Sequence, residues 1–76
     1  MKLQFNTRQV FNLALNIITD YITETRDVNF DIDDWDMSVY CRNATTGHNI
    51  KTRLGQHQIW HVPSFKGDAD YSIIYG

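Results

Sequence analysis

The sequence predicts an α+β domain, one long N-terminal amphipathic helix packed on a small antiparallel sheet of four or five strands. Two observations carry this. Apolar residues between Phe5 and Arg26 recur at helical spacing, and several later stretches alternate apolar and polar residues with period two. A third sets the scale: 76 residues with no linker, repeat or low-complexity stretch make one domain spanning 1–76, with a small core. Hydrophobic residues make up 42% and aromatics 13%, which excludes a disordered chain.

The helix has a written start. Asn6 can cap it, Gln9 stands three residues on in the manner of a capping box, and Phe5 with Val10 occupy hydrophobic-staple positions. Val10, Phe11, Leu13, Ala14, Leu15, Ile17, Ile18, Tyr21 and Ile22 spread over roughly 200° of its surface, leaving Asn12, Asn16, Thr19 and Thr23 for water. So wide an arc needs a cover beyond one flat sheet. A curved sheet cradling the helix is one answer, and a homodimer through the wide apolar helix face is the other.

Ahead of the helix, Met1–Phe5 alternates as a short strand. After it, Val28, Phe30 and Ile32 alternate with acids, Asp33-Asp34 marks a turn, and Trp35–Arg42 gives the strongest period-two signal. Asn43–Asn49 has a hairpin-loop composition. Ile50–Leu54 and Gln56–Val62 read as strands, ended by Pro63, and Tyr71–Tyr75 closes the sheet. The expected order is β-α-β-β-β-β.

Charge is polarised along the chain although its net value is only −2. Residues 20–36 hold Asp20, Glu24, Asp27, Asp31, Asp33, Asp34 and Asp36 against Arg26. Residues 37–67 hold no carboxylate but carry Arg42, Lys51, Arg53, Lys66 and the three histidines. The single Cys41 fits a reducing compartment, and no apolar run has the length of a membrane span, so the expectation is a cytoplasmic protein without membrane attachment. The Asn43-Ala44-Thr45 sequon is expected to go unused, since nothing in these residues routes the chain to secretion.

No catalytic constellation stands out. Cys41 falls on an inward strand position, where a thiol is inert, and the four glycines are scattered rather than gathered into a phosphate-cradling loop. His57 and His61 on a strand would lie roughly 13 Å apart, too far to share an ion, and adding Cys41 and His48 matches no zinc-module spacing. Asp31, Asp33, Asp34 and Asp36 lack the central glycine and terminal glutamate of a calcium loop. The expectation is no enzyme, no cofactor and no metal.

Two binding surfaces remain. In the first, Asp31, Asp33, Asp34 and Asp36 steer a larger protein partner and Trp60 anchors it, provided Ile59 points inward and leaves Trp60 outside. The chain would then be an inhibitor or adaptor that occludes the partner's surface, a profile common among small bacteriophage and mobile-element proteins. In the second, strands Trp35–Arg42 and Ile50–Leu54 pair, and Tyr40, Arg42, Lys51 and Arg53 emerge together to bind single-stranded nucleic acid or a nucleotide. An overall pI near 5.8 weighs against that alternative.

Overall fold

The computed structural model describes residues 1–75. Their elements are β1 (Lys2–Phe5), α1 (Arg8–Thr25), β2 (Phe30–Asp33), β3 (Ser38–Cys41), α2 (Ala44–Gln56) and β4 (Tyr71–Ile74). The strands form one sheet in the order β2-β3-β1-β4, with every neighbouring pair antiparallel. The fold is therefore α+β with its long helix near the N-terminus, as the sequence predicts, but the connectivity is β-α-β-β-α-β, the split β-α-β arrangement.

Helix α1 begins one residue later than expected. Thr7 is the cap, its hydroxyl accepting the Val10 N–H at 3.2 Å. Asn6 is unavailable because the strand beside it uses it: its N–H donates to the Asp70 carbonyl at 3.0 Å and its side-chain amide donates to the Ala69 carbonyl. Gln9 thereby falls outside the capping-box position. At the other end Arg26 turns into the left-handed region (φ 61°) and returns its N–H to the Ile22 carbonyl at 2.8 Å.

The largest correction concerns residues 43–56. The loop Asn43–Asn49 and the strand Ile50–Leu54 are together helix α2, and the strand Gln56–Val62 is the end of that helix and an irregular segment. Asn43, which reads as a loop residue, is the N-cap: its side-chain oxygen accepts the Thr46 N–H at 2.7 Å. Thr46, Gly47, Ile50 and Leu54 form the buried stripe, at helical spacing. Ile50, Thr52 and Leu54 also fit period two, and Gly47 and Gly55 look like breakers, which is why the strand reading arises. Gly47 is instead where the helix meets the sheet closely. A Cβ there would overlap the Met1 methyl and stand 3.5 Å from the Cys41 Cβ.

Helix α2 also supplies the second wall that the wide face of α1 requires. Phe11, Ala14, Ile17, Ile18 and Tyr21 are buried between the sheet and α2, and Val10, Leu15 and Ile22 are half-buried at the margins. These residues are covered within the single chain, whereas Leu13 of the same arc stays 50% exposed. Arg53 of α2 lies over the Tyr21 ring (5.4 Å) and pairs with Glu24, clamping the helices together.

From the sheet, Leu3, Phe5, Phe30, Val39, Cys41 and Tyr71 enter the same core, with Phe5 stacked on Tyr71 at 5.2 Å and tilted against Phe11 at 5.7 Å. The opposite face of the sheet is exposed at Asp31, Asp33, Tyr40, Ser72 and Ile74, although Ser38 on it is fully buried. Across it, register aligns Asp31, Tyr40, Lys2 and Ile74 in one row and Asp33, Ser38, Gln4 and Ser72 in the next.

A polar knot sits among the α1 terminus, the segment before β2 and α2. The Tyr21 and Thr46 hydroxyls both donate to one Asp27 carboxylate oxygen, and the Asn29 N–H donates to the other at 3.0 Å. The Tyr21 hydroxyl, the Asn29 N–H and the Thr46 hydroxyl together hold the Asp27 carboxyl down to about 2.

Candidate functional site

The strongest surface candidate is one end of the sheet, where β1 finishes and β3 and β4 begin. Three irregular segments meet there. The β2–β3 turn at Asp34–Met37 is tied to β1 by the Phe5 N–H donating to the Met37 carbonyl at 2.9 Å. Arg8, at the start of α1, grips this turn through the Asp34 carboxylate (2.8 Å) and carbonyl (2.9 Å). Asn6, two residues earlier, grips Ala69 and Asp70 on the far side. The acidic turn and the Trp60–Asp70 loop are thus carried on one end of the molecule, joined through Asn6–Arg8.

The aromatic residues of that end point into solvent. Trp35, expected on a strand, occupies the tip of the β2–β3 turn and is 94% exposed. The strand shortens to Ser38–Cys41 because Asp33 accepts the Asp36 N–H at 3.0 Å and Met37 adopts φ 54°, closing a turn that leaves Trp35 outside the ladder. Ile59 is buried, so Trp60 lies outside, 43% exposed. Its backbone is fixed by a reciprocal pair: the Trp60 N–H donates to the Asp70 carboxylate at 3.0 Å and the Asp70 N–H to the Trp60 carbonyl at 2.8 Å. Beyond it, Ser64 and Gly67 pair backbone to backbone and hold Phe65 fully exposed at the tip of a tight turn.

Trp60 is a ridge between two clefts. One, of about 400 Å³, lies under the turn and is lined by Gln58, Trp60, Phe65, Lys66, Asp68 and Asp70. The other, also about 400 Å³, is lined mainly by apolar atoms of Thr52, Gly55, Trp60, His61 and Tyr71. Burial, with the Asp70 charge nearby, pushes the Tyr71 hydroxyl up to about 12, so it stays protonated at neutral pH.

The acids are less naked than their sequence implies. Asp31 forms a two-point pair with Arg42 (2.8 and 3.2 Å), Asp34 pairs with Arg8, and Asp36 pairs with Lys2 at 2.7 Å. These cations hold the Asp31 and Asp36 carboxyls below the usual range. Asp33 serves the turn. Asp31 and Asp33 belong to β2 and lie on the face of the sheet away from the core, whereas Asp34 and Asp36 belong to the turn.

No family model, curated protein or solved structure matches this chain.

The cationic quartet does not assemble. Tyr40 and Arg42 lie on the open sheet face, whereas Lys51 and Arg53 belong to α2 in the opposite layer, with Arg53 engaged by Glu24 and Tyr21. The physical reason is the helix: residues 50–54 never pair with β3. Lys2 replaces them beside Tyr40, 5.3 Å from its ring. Cys41 is buried and burial pushes its thiol up, away from the thiolate. Among the described residues no three His, Cys, Asp or Glu side chains converge as a metal site, and no helix is long and apolar enough to cross a membrane.

Sequence reading passes over Trp35 as an anchor and over Phe65 entirely. The signal was local composition. Each aromatic sits inside a run of turn-formers, Asp33-Asp34-Trp35-Asp36 and Ser64-Phe65-Lys66-Gly67, where the chain reverses before a side chain can reach a core.

Proposed function

We propose that the chain is a small non-enzymatic protein-binding module, an inhibitor or adaptor that occludes a surface of a larger partner through the aromatic end of its sheet. The observation that carries this reading is the exposure of Trp35, Trp60 and Phe65 at one end, on segments fixed by Arg8, Asn6 and Asp70. The backbone segments that carry these aromatics are fixed before binding, so docking has to order the side chains but not the loops, and large aromatics are the usual interface hot spots. The partner's matching surface would be apolar, with a depression for Phe65 or Trp60. Steering by the acidic residues is secondary, because Arg8 and Lys2 screen Asp34 and Asp36 in the turn and Arg42 screens Asp31 on β2.

The test is capture of partners from host lysate at moderate salt, with and without nuclease, using the wild type, Trp60→Ala, Phe65→Ser and Tyr40→Ser. A stoichiometric protein that survives nuclease, is retained by Tyr40→Ser and is lost with Trp60→Ala and Phe65→Ser is the expected result. Nucleic acid that is recovered by the wild type and lost with Tyr40→Ser would refute the proposal. It would move function to the open sheet face.

A further inference from the structure

The two edges of the sheet are treated differently by the sequence. On β2, at one edge, Asp31 and Asp33 place charge along the strand, which discourages pairing with another chain. On β4, at the other edge, Tyr71, Ser72, Ile73, Ile74 and Tyr75 carry no charge at all. Nothing in their composition guards that edge.

Register identifies which backbone groups face outward. On β1 the Phe5 N–H donates to Met37 and the Met1 carbonyl accepts from Cys41 at 2.8 Å, so the odd-numbered residues of β1 address β3. Lys2, Gln4 and Asn6 therefore address β4, where they stand opposite Ile74 and Ser72 and bond Asp70. By the same alternation the N–H and C=O groups of Tyr71, Ile73 and Tyr75 point away from the sheet. Among the described residues no strand lies beyond them.

We infer that this edge pairs with a second copy of the chain, antiparallel about a two-fold axis at Ile73, with Tyr75 of each copy entering the cleft beside Tyr71 of the other. Centring the axis on Ile73 makes each outward group meet its complement: Ile73 faces its own copy and Tyr71 faces Tyr75, with two hydrogen bonds per pair. Residues directly opposite in an antiparallel pair project from the same face. Tyr71 points into the helix layer, so the opposing Tyr75 is directed to that layer too. There lies the cleft of about 400 Å³ lined by Lys51, Thr52, Gly55, Gln56, Trp60, His61 and Tyr71, mostly through their apolar atoms. Tyr75 is 76% exposed in the single chain, an apolar knob with nothing to cover it among the described residues. The edge, the knob and the hole belong to one surface, which is the self-complementarity that an isologous dimer requires.

The experiment is analytical ultracentrifugation of the full chain over a dilution series from about 1 mM downward. The wild type is expected to show a reversible monomer–dimer equilibrium. Tyr75→Pro removes one outward N–H and the knob while leaving the bonds to β1 intact, and Ile73→Lys sets two ammonium groups face to face on the axis. Each should weaken association by about tenfold or more. Phe65→Ser should leave it unchanged, which separates this edge from the aromatic end. In a Trp35→Phe background, Trp60 emission should change on dilution of the wild type and not of Tyr75→Pro. Ile73 packs partly on the core, so if its lysine variant does not fold, Tyr75→Pro decides alone. A wild type that is monomeric throughout, a dimer undiminished by Tyr75→Pro, or one abolished by Phe65→Ser would overturn the inference.

Discussion

Gly55→Ala sets two effects of known sign against each other at the place where helix and candidate site touch. Gly55 lies in the last turn of α2, and a Cβ built on it would stand 3.0 Å from Trp60 Cζ3 and 3.4 Å from Cη2. The helix favours alanine by about 0.8–1 kcal/mol. That gain survives in the last turn, because the His57 N–H and Ile59 N–H both bond the Leu54 carbonyl and the Gln58 N–H bonds Gly55, so the turn does not fray. Against it, the indole must retreat by a few tenths of an ångström, weakening contacts worth about 0.1–0.2 kcal/mol each. Trp60 has solvent on its outer side to retreat into. The expected net effect is a gain of about 0.5 kcal/mol, or about 2–4 °C in Tm for a domain of this size. Urea and thermal denaturation measure it. In a Trp35→Phe background, Trp60 emission should shift to longer wavelength at the same time. A loss above about 1 kcal/mol would refute the reasoning, since it would mean that the ring is clamped rather than resting on the helix.

Three further outcomes are expected. Asn43→Ala removes the α2 cap and should cost about 1 kcal/mol in urea denaturation, whereas a strand or loop at 43–54 would predict almost no loss. Arg26→Gly relieves a left-handed residue at the end of α1 and should raise stability by up to about 1 kcal/mol, provided the Ile22 bond survives; a decrease would contradict the strain argument. The Asp27 carboxyl lies near 2 in the folded chain against an ordinary 3.8, so folded protein binds that proton less readily than unfolded chain. Its contribution is complete above pH about 4 and is lost as pH falls toward 2. Tyr21→Phe should move the carboxyl back up in a 13C NMR titration, and an unchanged titration would show that the hydroxyl is not its principal partner.

The sequence makes α1 and the outer strands legible for a simple reason. Period-3.6 and period-two patterns differ most where an element is long or one face is consistently buried, as in Val10–Ile22 and, through Leu3 and Phe5, in Met1–Phe5; at Val28–Ile32 the alternation finds the strand although only Phe30 is buried and Val28 and Ile32 stay exposed. Residues 43–56 fail that condition. Ile50 and Leu54 are four apart and satisfy both periods, the two glycines argue against a helix, and an Asn at position 43 signals a cap as readily as a loop. Tertiary contact decided the matter: Gly47 admits Met1 and Cys41, and Leu54 reaches the core. The same misreading dispersed the cationic quartet, since Lys51 and Arg53 inherit their position from the element that bears them. Trp60 could be assigned only once Ile59 was known to be buried. Trp35 was misplaced because alternation continues through a turn that the aspartates, acting through backbone hydrogen bonds, had already closed.

Charge polarity along a chain and charge polarity on a surface are different quantities, and here the fold converts much of the first into internal pairing. Arg8 reaches back from α1 to Asp34, Lys2 crosses from β1 to Asp36, and Arg42 crosses from β3 to Asp31. Arg42–Asp31 joins the cationic block to the acidic one, and Lys2 and Arg8 come from the stretch that precedes both. Exposed pairs of this kind contribute little stability individually, about 0–1 kcal/mol, so their main effect is geometric. Arg8–Asp34 and Lys2–Asp36 pin the β2–β3 turn that carries Trp35, and all three pairs lower the field that the acidic block would otherwise project. Neutralising Arg8 should therefore do two opposed things at once: strengthen long-range attraction for a cationic partner and loosen the turn that presents Trp35. A faster association combined with a faster dissociation in Arg8→Gln, measured against a partner captured through the aromatic end, is the signature of that division of labour. A change in association alone would mean that the turn holds its shape without Arg8.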